Sequence, residues 1–203
     1  MDLKAGFDYS IKLLLLGDSC VGKSNFIFRF FNNKFNGQHL SSAGIELKNS
    51  VLTINNKKLH LQIWDTAGQE KYKTVTKSLF SKVQGFIVMF DLTKLQTFEN
   101  VKKWIKLIKE ECGNYAPILL VGNKNDIKHL RNISEVEIKK LTKEEELDYI
   151  ETSSKTGENV RKAINMICSD ITDKNTLTNH FSFSLDSSKS SKSRRKKAQS
   201  SCC

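Results

Sequence analysis

Two kinds of apolar pattern alternate along the chain, and the first kind predicts strands. Residues 11–16 form an apolar-rich run that ends at Gly17, which is typical of a strand buried on both faces of a sheet. Residues 45–54 and 59–64 predict two more strands. The polar residues 55–57 between them indicate a hairpin, so we expect these two strands to be antiparallel.

The second kind of pattern predicts helices. Residues 23–31 predict a helix after the first strand, with Ile27, Phe30 and Phe31 facing the core. Apolar stripes at helical spacing follow at residues 98–108, 136–141 and 160–171, and further strands are predicted at residues 85–90, 118–121 and 148–151. Strands that alternate with helices predict an α/β fold: a mostly parallel six-stranded sheet with one antiparallel edge strand and helices on both faces.

Length and composition favour one domain with a tail. The chain has 203 residues, of which 38% are hydrophobic, and this is enough for an ordinary core. No apolar run approaches the roughly 20 residues that span a bilayer. The N-terminus lacks a secretory signal and has no Gly at position 2 for myristoylation, so we expect a protein that is not secreted. The five cysteines have no zinc-site spacing, and their odd number favours free thiols in a reducing compartment.

The first segment with a chemical signature is GDSCVGKS at residues 17–24, which matches the phosphate-binding pattern GxxxxGK[ST]. Gly17 and Gly22 let the loop curl so that backbone N–H groups face phosphate oxygens, and the next helix adds its positive N-terminal end. We expect Lys23 to reach the β- and γ-phosphates and Ser24 to coordinate Mg²⁺. The alternative is a chance glycine–lysine turn, but the motif stands between a predicted strand and a predicted helix, as it requires.

Selection of the base is predicted at the segment NKND, residues 123–126, which follows another strand. The carboxylate of Asp126 can accept hydrogen bonds from both the N1–H and the exocyclic amine of guanine, whereas adenine has no donors in that arrangement. The stem of Lys124 is expected to lie over the base. The pattern is weak alone and specific when it follows a phosphate loop by about 100 residues.

Two further loops complete the predicted site. In the segment WDTAGQE, residues 64–70, Asp65 is expected to hold Mg²⁺ through a water, Gly68 to offer its N–H to the γ-phosphate, and Gln69 to orient the attacking water. The segment ETSSK, residues 151–155, again follows a strand, and its backbone and the stem of Lys155 would close over the guanine.

These four segments, in this order, resemble the Ras-like small GTPases over about residues 9–172, and most closely the Rab family. The Rab resemblance rests on LQIWDTAGQE at residues 61–70, KYKTVT at 71–76, FDLT at 90–93 and the terminal Cys202-Cys203 pair. It implies the P-loop NTPase fold of small G proteins, GTP or GDP bound with Mg²⁺, and slow GTP hydrolysis with Gln69 as the catalytic residue. The nucleotide-binding residues expected from the motifs and the resemblance are Asp18, Ser19, Cys20, Val21, Gly22, Lys23, Ser24, Asn25, Phe35, Ser42, Gly68, Asn123, Lys124, Asp126, Ser153, Ser154 and Lys155, and the expected magnesium-binding residues are Ser24, Ser42 and Asp65.

The resemblance also implies two switch segments, at about residues 32–45 and 65–81, that relax when the γ-phosphate leaves. Phe35 stands where an aromatic residue flanks the guanine, and Ser42 stands where the family almost always has a magnesium-binding threonine. Ser42 keeps the hydroxyl but lacks the methyl group that restricts its rotamers, so we expect the ordered switch to be less favoured. His39 stands where a tyrosine often covers the phosphates. The segment AGIEL at residues 43–47 replaces the usual IGVDF-like stretch, which predicts unusual effector contacts.

The tail carries more than half of the net charge. Residues 174–203 contain seven Lys or Arg residues and one Asp, so they contribute +6 to the total of +11. Such a segment is typical of binding to nucleic acid, of nuclear import or of binding to an anionic membrane. Cys202 and Cys203 favour the membrane, because a CC end resembles the Rab signal for geranylgeranylation of both cysteines, and two lipids anchor stably. We expect residues 1–8 to be an N-terminal extension, residues 9–172 the GTPase domain and residues 173–203 a disordered basic tail.

The predicted function is a membrane-anchored switch in vesicle trafficking that cycles between the cytosol and the cytoplasmic face of intracellular membranes. The resemblance implies exchange factors, GTPase-activating proteins, effectors, a prenylation escort protein and a GDP-dissociation inhibitor as partners. We expect a monomer without a nucleic-acid partner. Two alternatives stay open: a nucleotide-bound scaffold that hydrolyses GTP weakly, suggested by Ser42 and His39, and a P-loop kinase or ATPase, which residues 123–126 disfavour.

Overall fold

A six-stranded sheet organises the computed structural model, which describes residues 6–37, 45–54, 56–66, 79–114 and 116–173. The elements in chain order are β1 (Tyr9–Leu16), α1 (Lys23–Asn32), β2 (Ile45–Ile54), β3 (Lys57–Thr66), β4 (Gly85–Asp91), α2 (Leu95–Glu99), α3 (Val101–Cys112), β5 (Ile118–Asn123), a 3₁₀ turn (Lys128–Leu130), α4 (Glu135–Glu145), β6 (Asp148–Thr152) and α5 (Val160–Asp173).

The strand order across the sheet is β2-β3-β1-β4-β5-β6. β2 and β3 pair antiparallel, with Ile54 opposite Lys57 at the hairpin, and every other pair is parallel. The predicted sheet, mostly parallel with one antiparallel edge strand, is therefore confirmed. The carboxyl ends of all five parallel strands lie along one edge, which is where open α/β sheets bind ligands.

Both faces of the sheet are covered, which explains why β1 is apolar almost without interruption. Ile11, Leu13 and Leu15 pack with α1 and α5 on one face, whereas Leu14 and Leu16 pack with α3 and α4 on the other. Such two-sided burial is typical of parallel strands. On α5 the inward stripe is continuous: Val160, Ala163, Ile164, Ile167, Cys168 and Ile171 are all buried.

The helices differ from the predictions in three places. The stripe at residues 98–108 belongs to two helices, α2 and α3, which meet at Asn100. The predicted short helix at 136–141 is longer: a reciprocal capping box of Ser134 and Glu137 starts α4, and Glu146, with a φ angle of 56°, ends it. On α1, Phe26 is buried together with Ile27 and Phe30, and Phe31 is only half-buried.

Within the described parts of the chain, the structure contains no helix whose length and apolar character would allow it to cross a membrane.

Candidate functional site

The described parts of all four sequence motifs lie at the carboxyl edge of the sheet. Residues 17–22 follow β1, Asp65 is the second-last residue of β3, Asn123 ends β5 and Ser153 follows β6. The parallel pairing of β1 with β3, and of β5 with β6, brings these ends side by side. The structure therefore assembles one site from segments that are far apart in the sequence.

The loop of residues 17–22 joins β1 to α1 and needs glycine at both ends. Gly17 and Gly22 have φ angles of 137° and 102°, in the region that favours glycine. A Cβ atom on Gly17 would collide with the carbonyl oxygen of Met89, and one on Gly22 would collide with the side-chain amide of Asn123. Side chains at these two positions are therefore excluded by backbone conformation and by space.

Lys23 closes the loop on itself. Its Nζ donates to the carbonyl oxygens of Gly17, at 2.6 Å, and Asp18, at 2.7 Å, and only 5% of the residue is exposed. α1 begins at Lys23, with no acidic residue in its first turn, which also contains Ser24 and Asn25. A buried ammonium beside a helix N-terminus is a favourable place for a phosphate chain.

The Asp18 side chain accepts hydrogen bonds from Trp104 of α3 and from Asn100, the residue before α3. Its Oδ2 accepts from Nδ2 of Asn100 at 2.7 Å, its Oδ1 accepts from Nε1 of Trp104 at 3.0 Å, and the residue is 8% exposed. Lys103 in turn donates to Oδ1 of Asn100 at 2.7 Å. Within the loop, Asp18 contributes its backbone carbonyl oxygen, which accepts the hydrogen bond from Lys23.

Asn100 and Trp104 were missed as site residues. The sequence marked Trp104 only as one member of an apolar stripe, and no local signal singles out Asn100. Ser19 and Cys20, between Asp18 and Val21, are exposed at the tip of the loop, and Cys20 has a φ angle of 63°.

The Asn123 amide joins the phosphate loop to the loop after β6. Its Nδ2 donates to the carbonyl oxygen of Val21 at 2.8 Å. Its Oδ1 accepts from the Thr152 hydroxyl at 3.2 Å, and from the backbone N–H and hydroxyl of Ser154 at 3.2 and 3.1 Å. Because these groups are buried, their hydrogen bonds fix the spacing between the two loops.

Lys124 of the NKND segment is held by Asp91, the last residue of β4. Lys124 has a φ angle of 70° and its Nζ lies 2.6 Å from Oδ2 of the fully buried Asp91. Oδ1 of Asp91 accepts from the backbone N–H and hydroxyl of Thr93 at 2.9 and 2.7 Å. Asp91 was not predicted as a site residue, although the segment FDLT contains it.

Asp126 meets the loop after β6 through Ser153. The Ser153 hydroxyl donates to Oδ1 of Asp126 at 2.6 Å and accepts from the backbone N–H of Thr156 at 3.0 Å. A carboxylate can accept about four hydrogen bonds, so this contact leaves Asp126 able to accept a pair of ligand donors.

An ion pair behind the loops ties residues after β5 to the end of β6. Arg131 donates from Nη1 and Nη2 to the two carboxylate oxygens of Glu151, at 2.9 and 2.7 Å, and the Tyr149 hydroxyl donates to Oε1 at 2.9 Å. Burial acts to raise the pKa of Glu151, but the bonds from Arg131 and Tyr149 outweigh it and lower the pKa from its usual value. Burial, followed by the charge of Glu151, raises the pKa of Tyr149.

The predicted magnesium ligands fit that ion as far as the structure describes them. Asp65 is buried on β3 opposite Leu15 of β1, and Ser24 is half-buried in the first turn of α1. Hydroxyl and carboxylate oxygens, together with phosphate oxygens of a ligand, form the hard donor set that Mg²⁺ prefers.

Several predicted site residues lie outside the described residues: Ser42, Gly68, Gln69, Cys202 and Cys203, together with His39 and residues 38–44 and 67–78 of the two switch segments. Phe35 is described, follows α1, and is 41% exposed.

Comparisons with known proteins agree with this arrangement. A family model described as the Ras family matches residues 12–173. The GTP-binding protein ypt3 of Schizosaccharomyces pombe is 40% identical over 165 residues, which cover 81% of this chain and 77% of that protein. The Ras-related protein Rab11A of Nicotiana tabacum is 41% identical over 165 residues, covering 81% and 76%. The Ras-related protein Rab-27B of Bos taurus is 40% identical over 170 residues, covering 78% of each chain. The matched region includes every described residue of the site.

Proposed function

Because the chain belongs to the Rab family of the Ras-like small GTPases, we propose that its carboxyl-edge site binds GDP and GTP with Mg²⁺ and that the protein is a membrane-anchored switch. Members of this family are GTPases, and this protein is therefore a GTPase. The observation that carries the proposal is the Asn123 amide, which joins the phosphate loop to residues 152–154 and so makes one pocket from two loops.

At the phosphate end, Lys23 and the N–H groups of residues 18–25 hold the negative charge. Lys23 gives up its bonds to the Gly17 and Asp18 carbonyls, or shares them, when phosphate oxygens arrive. Ser24, Ser42 and Asp65 would hold Mg²⁺, which would supply positive charge against the phosphates. Gln69 orients the attacking water, and the intrinsic rate is slow until an activating protein raises it by roughly 10³- to 10⁵-fold.

At the base end, Asp126 selects guanine by accepting from its N1–H and exocyclic amine. The bond from Ser153 fixes the carboxylate orientation. The ion pair between Lys124 and Asp91 fixes the lysine stem that lies on the base. Phe35 packs on the opposite side.

The membrane part of the proposal rests on residues beyond the GTPase domain, which we assign to residues 9–172. Cys202 and Cys203 carry two prenyl groups, and residues 192–197 add attraction to anionic lipid of about 1 kcal/mol for each basic side chain near the surface. Exchange factors, activating proteins, effectors, an escort protein and a GDP-dissociation inhibitor are the partners. The protein thus cycles between the cytosol and the cytoplasmic face of intracellular membranes in vesicle trafficking.

The proposal is tested by nucleotide titration and single-turnover hydrolysis. The wild type is expected to bind GDP and GTP far more tightly than ATP, and Gln69→Leu to stop hydrolysis without loss of binding. Asp126→Asn is expected to lose guanine and gain xanthine nucleotides, because an amide can donate to the 2-oxo group of xanthine. Asp148→Asn, an exposed acid at the start of β6, is the matched control.

Each alternative has its own outcome in this experiment. Tight GTP binding without hydrolysis would favour the scaffold, and Ser42→Thr would then show whether the missing methyl group is responsible. ATP binding equal to GTP binding would favour a P-loop kinase or ATPase and overturn the proposed base selection.

A further inference from the structure

Arg29 lies outside all four motifs, yet its guanidinium bonds to the candidate base pocket. Nε donates to the carbonyl oxygen of Ser154 at 2.9 Å, and Nη2 donates to the carbonyl oxygen of Lys155. Nη1 donates to the carbonyl oxygen of Asn33 at 2.9 Å. One side chain on α1 therefore holds two neighbouring carbonyls of the loop after β6 and the carbonyl that ends its own helix.

These acceptors belong to two segments that are both expected to contact the guanine. Ser154 and Lys155 belong to the loop that also bonds to Asn123 and Asp126. Asn33 caps α1 with a φ angle of 52° and precedes Phe35 by two residues. Arg29 therefore connects the loop under the base with the start of the segment that flanks it.

Arginine suits this place better than lysine. Its planar fork carries five N–H donors in fixed directions, whereas lysine has a single donor group on a flexible stem. A cation in the last turn of a helix is also favourable there. Gly157, with a φ angle of 91°, lies against the arginine stem, since a Cβ atom there would be 3.4 Å from Cδ of Arg29.

The bonds to Arg29 fix the orientation of the peptide between Ser154 and Lys155. Asn123 binds the N–H and hydroxyl of Ser154, and Arg29 binds its carbonyl oxygen. In a planar trans peptide the C=O and the following N–H point in opposite directions. The contact with Arg29 therefore turns the Lys155 N–H away from α1, and an amide N–H is the donor that a purine 6-oxo group requires.

We propose that Arg29 is a positioning residue for guanine, which orients the Ser154–Lys155 peptide so that its N–H meets the 6-oxo group of the base. This inference rests on the proposed function, because it requires a guanine nucleotide in the pocket. On this inference α1 contributes to both parts of the site: its first turn holds the phosphates, and Arg29 in its last turn helps to select the base.

The test pairs changes in the protein with changes in the nucleotide. GDP, IDP and 6-thio-GDP are titrated against the full-length wild type, Arg29→Gln and Arg29→Lys. IDP lacks the 2-amino group but keeps the 6-oxo group, whereas 6-thio-GDP keeps the amine and replaces the oxygen with a poorly accepting sulfur. Arg161→Gln is the matched control, because Arg161 is an exposed arginine on α5 whose guanidinium lies over the ring of Phe30.

Arg29→Gln is expected to weaken GDP and IDP by the same factor, roughly tenfold, and 6-thio-GDP by less than about threefold. Arg29→Lys should show the same order with smaller factors, and it carries the test if Arg29→Gln does not fold. Arg161→Gln should leave all three affinities unchanged. Equal weakening of all three nucleotides, or no weakening of GDP, would overturn the inference and leave the proposed function standing. A wild type that does not bind GDP would overturn both.

Discussion

The change Asp18→Asn tests whether the phosphate loop is held to α3 by a buried carboxylate. Asp18 accepts from Asn100 at 2.7 Å and from Trp104 at 3.0 Å, and both partners are donors only at those atoms. Asparagine keeps one acceptor oxygen and turns an NH₂ group toward the other donor. One bond is lost, and one donor stays buried without a partner.

The expected cost follows from these two bonds. A hydrogen bond to a charged group contributes about 1.5–3 kcal/mol, and an unsatisfied buried donor costs about 1–3 kcal/mol. The cost of the unsatisfied donor and the loss of its hydrogen bond describe largely the same effect, so the two values are not added. We therefore expect Asp18→Asn to lower the free energy of unfolding by about 2–3 kcal/mol. Trp104→Phe removes the indole donor, so after that second change the introduced amide can serve Asn100 with its remaining oxygen.

The assay is a double-mutant cycle on Asp18→Asn and Trp104→Phe by urea unfolding at fixed, saturating GDP and Mg²⁺. The GDP affinity of each variant is measured separately, because a changed affinity alters the apparent stability. A coupling energy of about 1–2 kcal/mol is expected. Effects that add to within about 0.5 kcal/mol would refute the reasoning, and Asp148→Asn should change stability by less than that amount.

Three further predictions concern the loops and the thiols. Gly22→Ala should weaken GDP binding at least tenfold, because its methyl group would collide with the Asn123 amide at a strained φ angle; an unchanged affinity in titration would contradict this. The pKa of Glu151 is lower in the folded protein than its ordinary value of 4.5, so the ionised carboxylate stabilises the fold at pH values above 4.5. This stabilisation is lost as the pH falls through the folded-state pKa. Urea unfolding of Glu151→Gln should therefore show a weaker loss on acidification from about pH 6 than the wild type, and equal slopes would argue against the ion pair. Burial raises the pKa of the Cys168 thiol to about 12. Iodoacetamide near pH 8 should therefore alkylate the exposed Cys20 before Cys168, as peptide mass mapping would show. Equal labelling of the two thiols would contradict the burial of Cys168.

Most of the strands and helices were predictable because each has its own local signal. The run at residues 11–16, the hairpin at 55–57 and the stripe of α5 depend on residues that are close in sequence, and their periods differ clearly. The break between α2 and α3 was not predictable in that way. Its apolar stripe continues across Asn100 with helical spacing, so the pattern alone indicates one helix.

The contacts that hold the site together could not be predicted from local patterns. Asp18 and Trp104 are 86 residues apart in sequence, and Arg29 and Ser154 are 125 apart. Which polar side chains meet across such distances is decided by the packing of helices on the sheet. The motifs identified the groups expected to touch the ligand, whereas the residues that orient those groups became visible only in the folded chain.

The Asn123 amide has a consequence for the rate of nucleotide release. Four hydrogen bonds on one side chain connect the loop proposed to hold the phosphates with the loop proposed to hold the base. Neither loop can move outward without breaking bonds at this amide, so loosening one end of the pocket lowers the barrier at the other. If both loops hold the nucleotide as proposed, release should be one concerted event with a single relaxation time, and an exchange partner that displaces either loop alone should be enough to release the nucleotide.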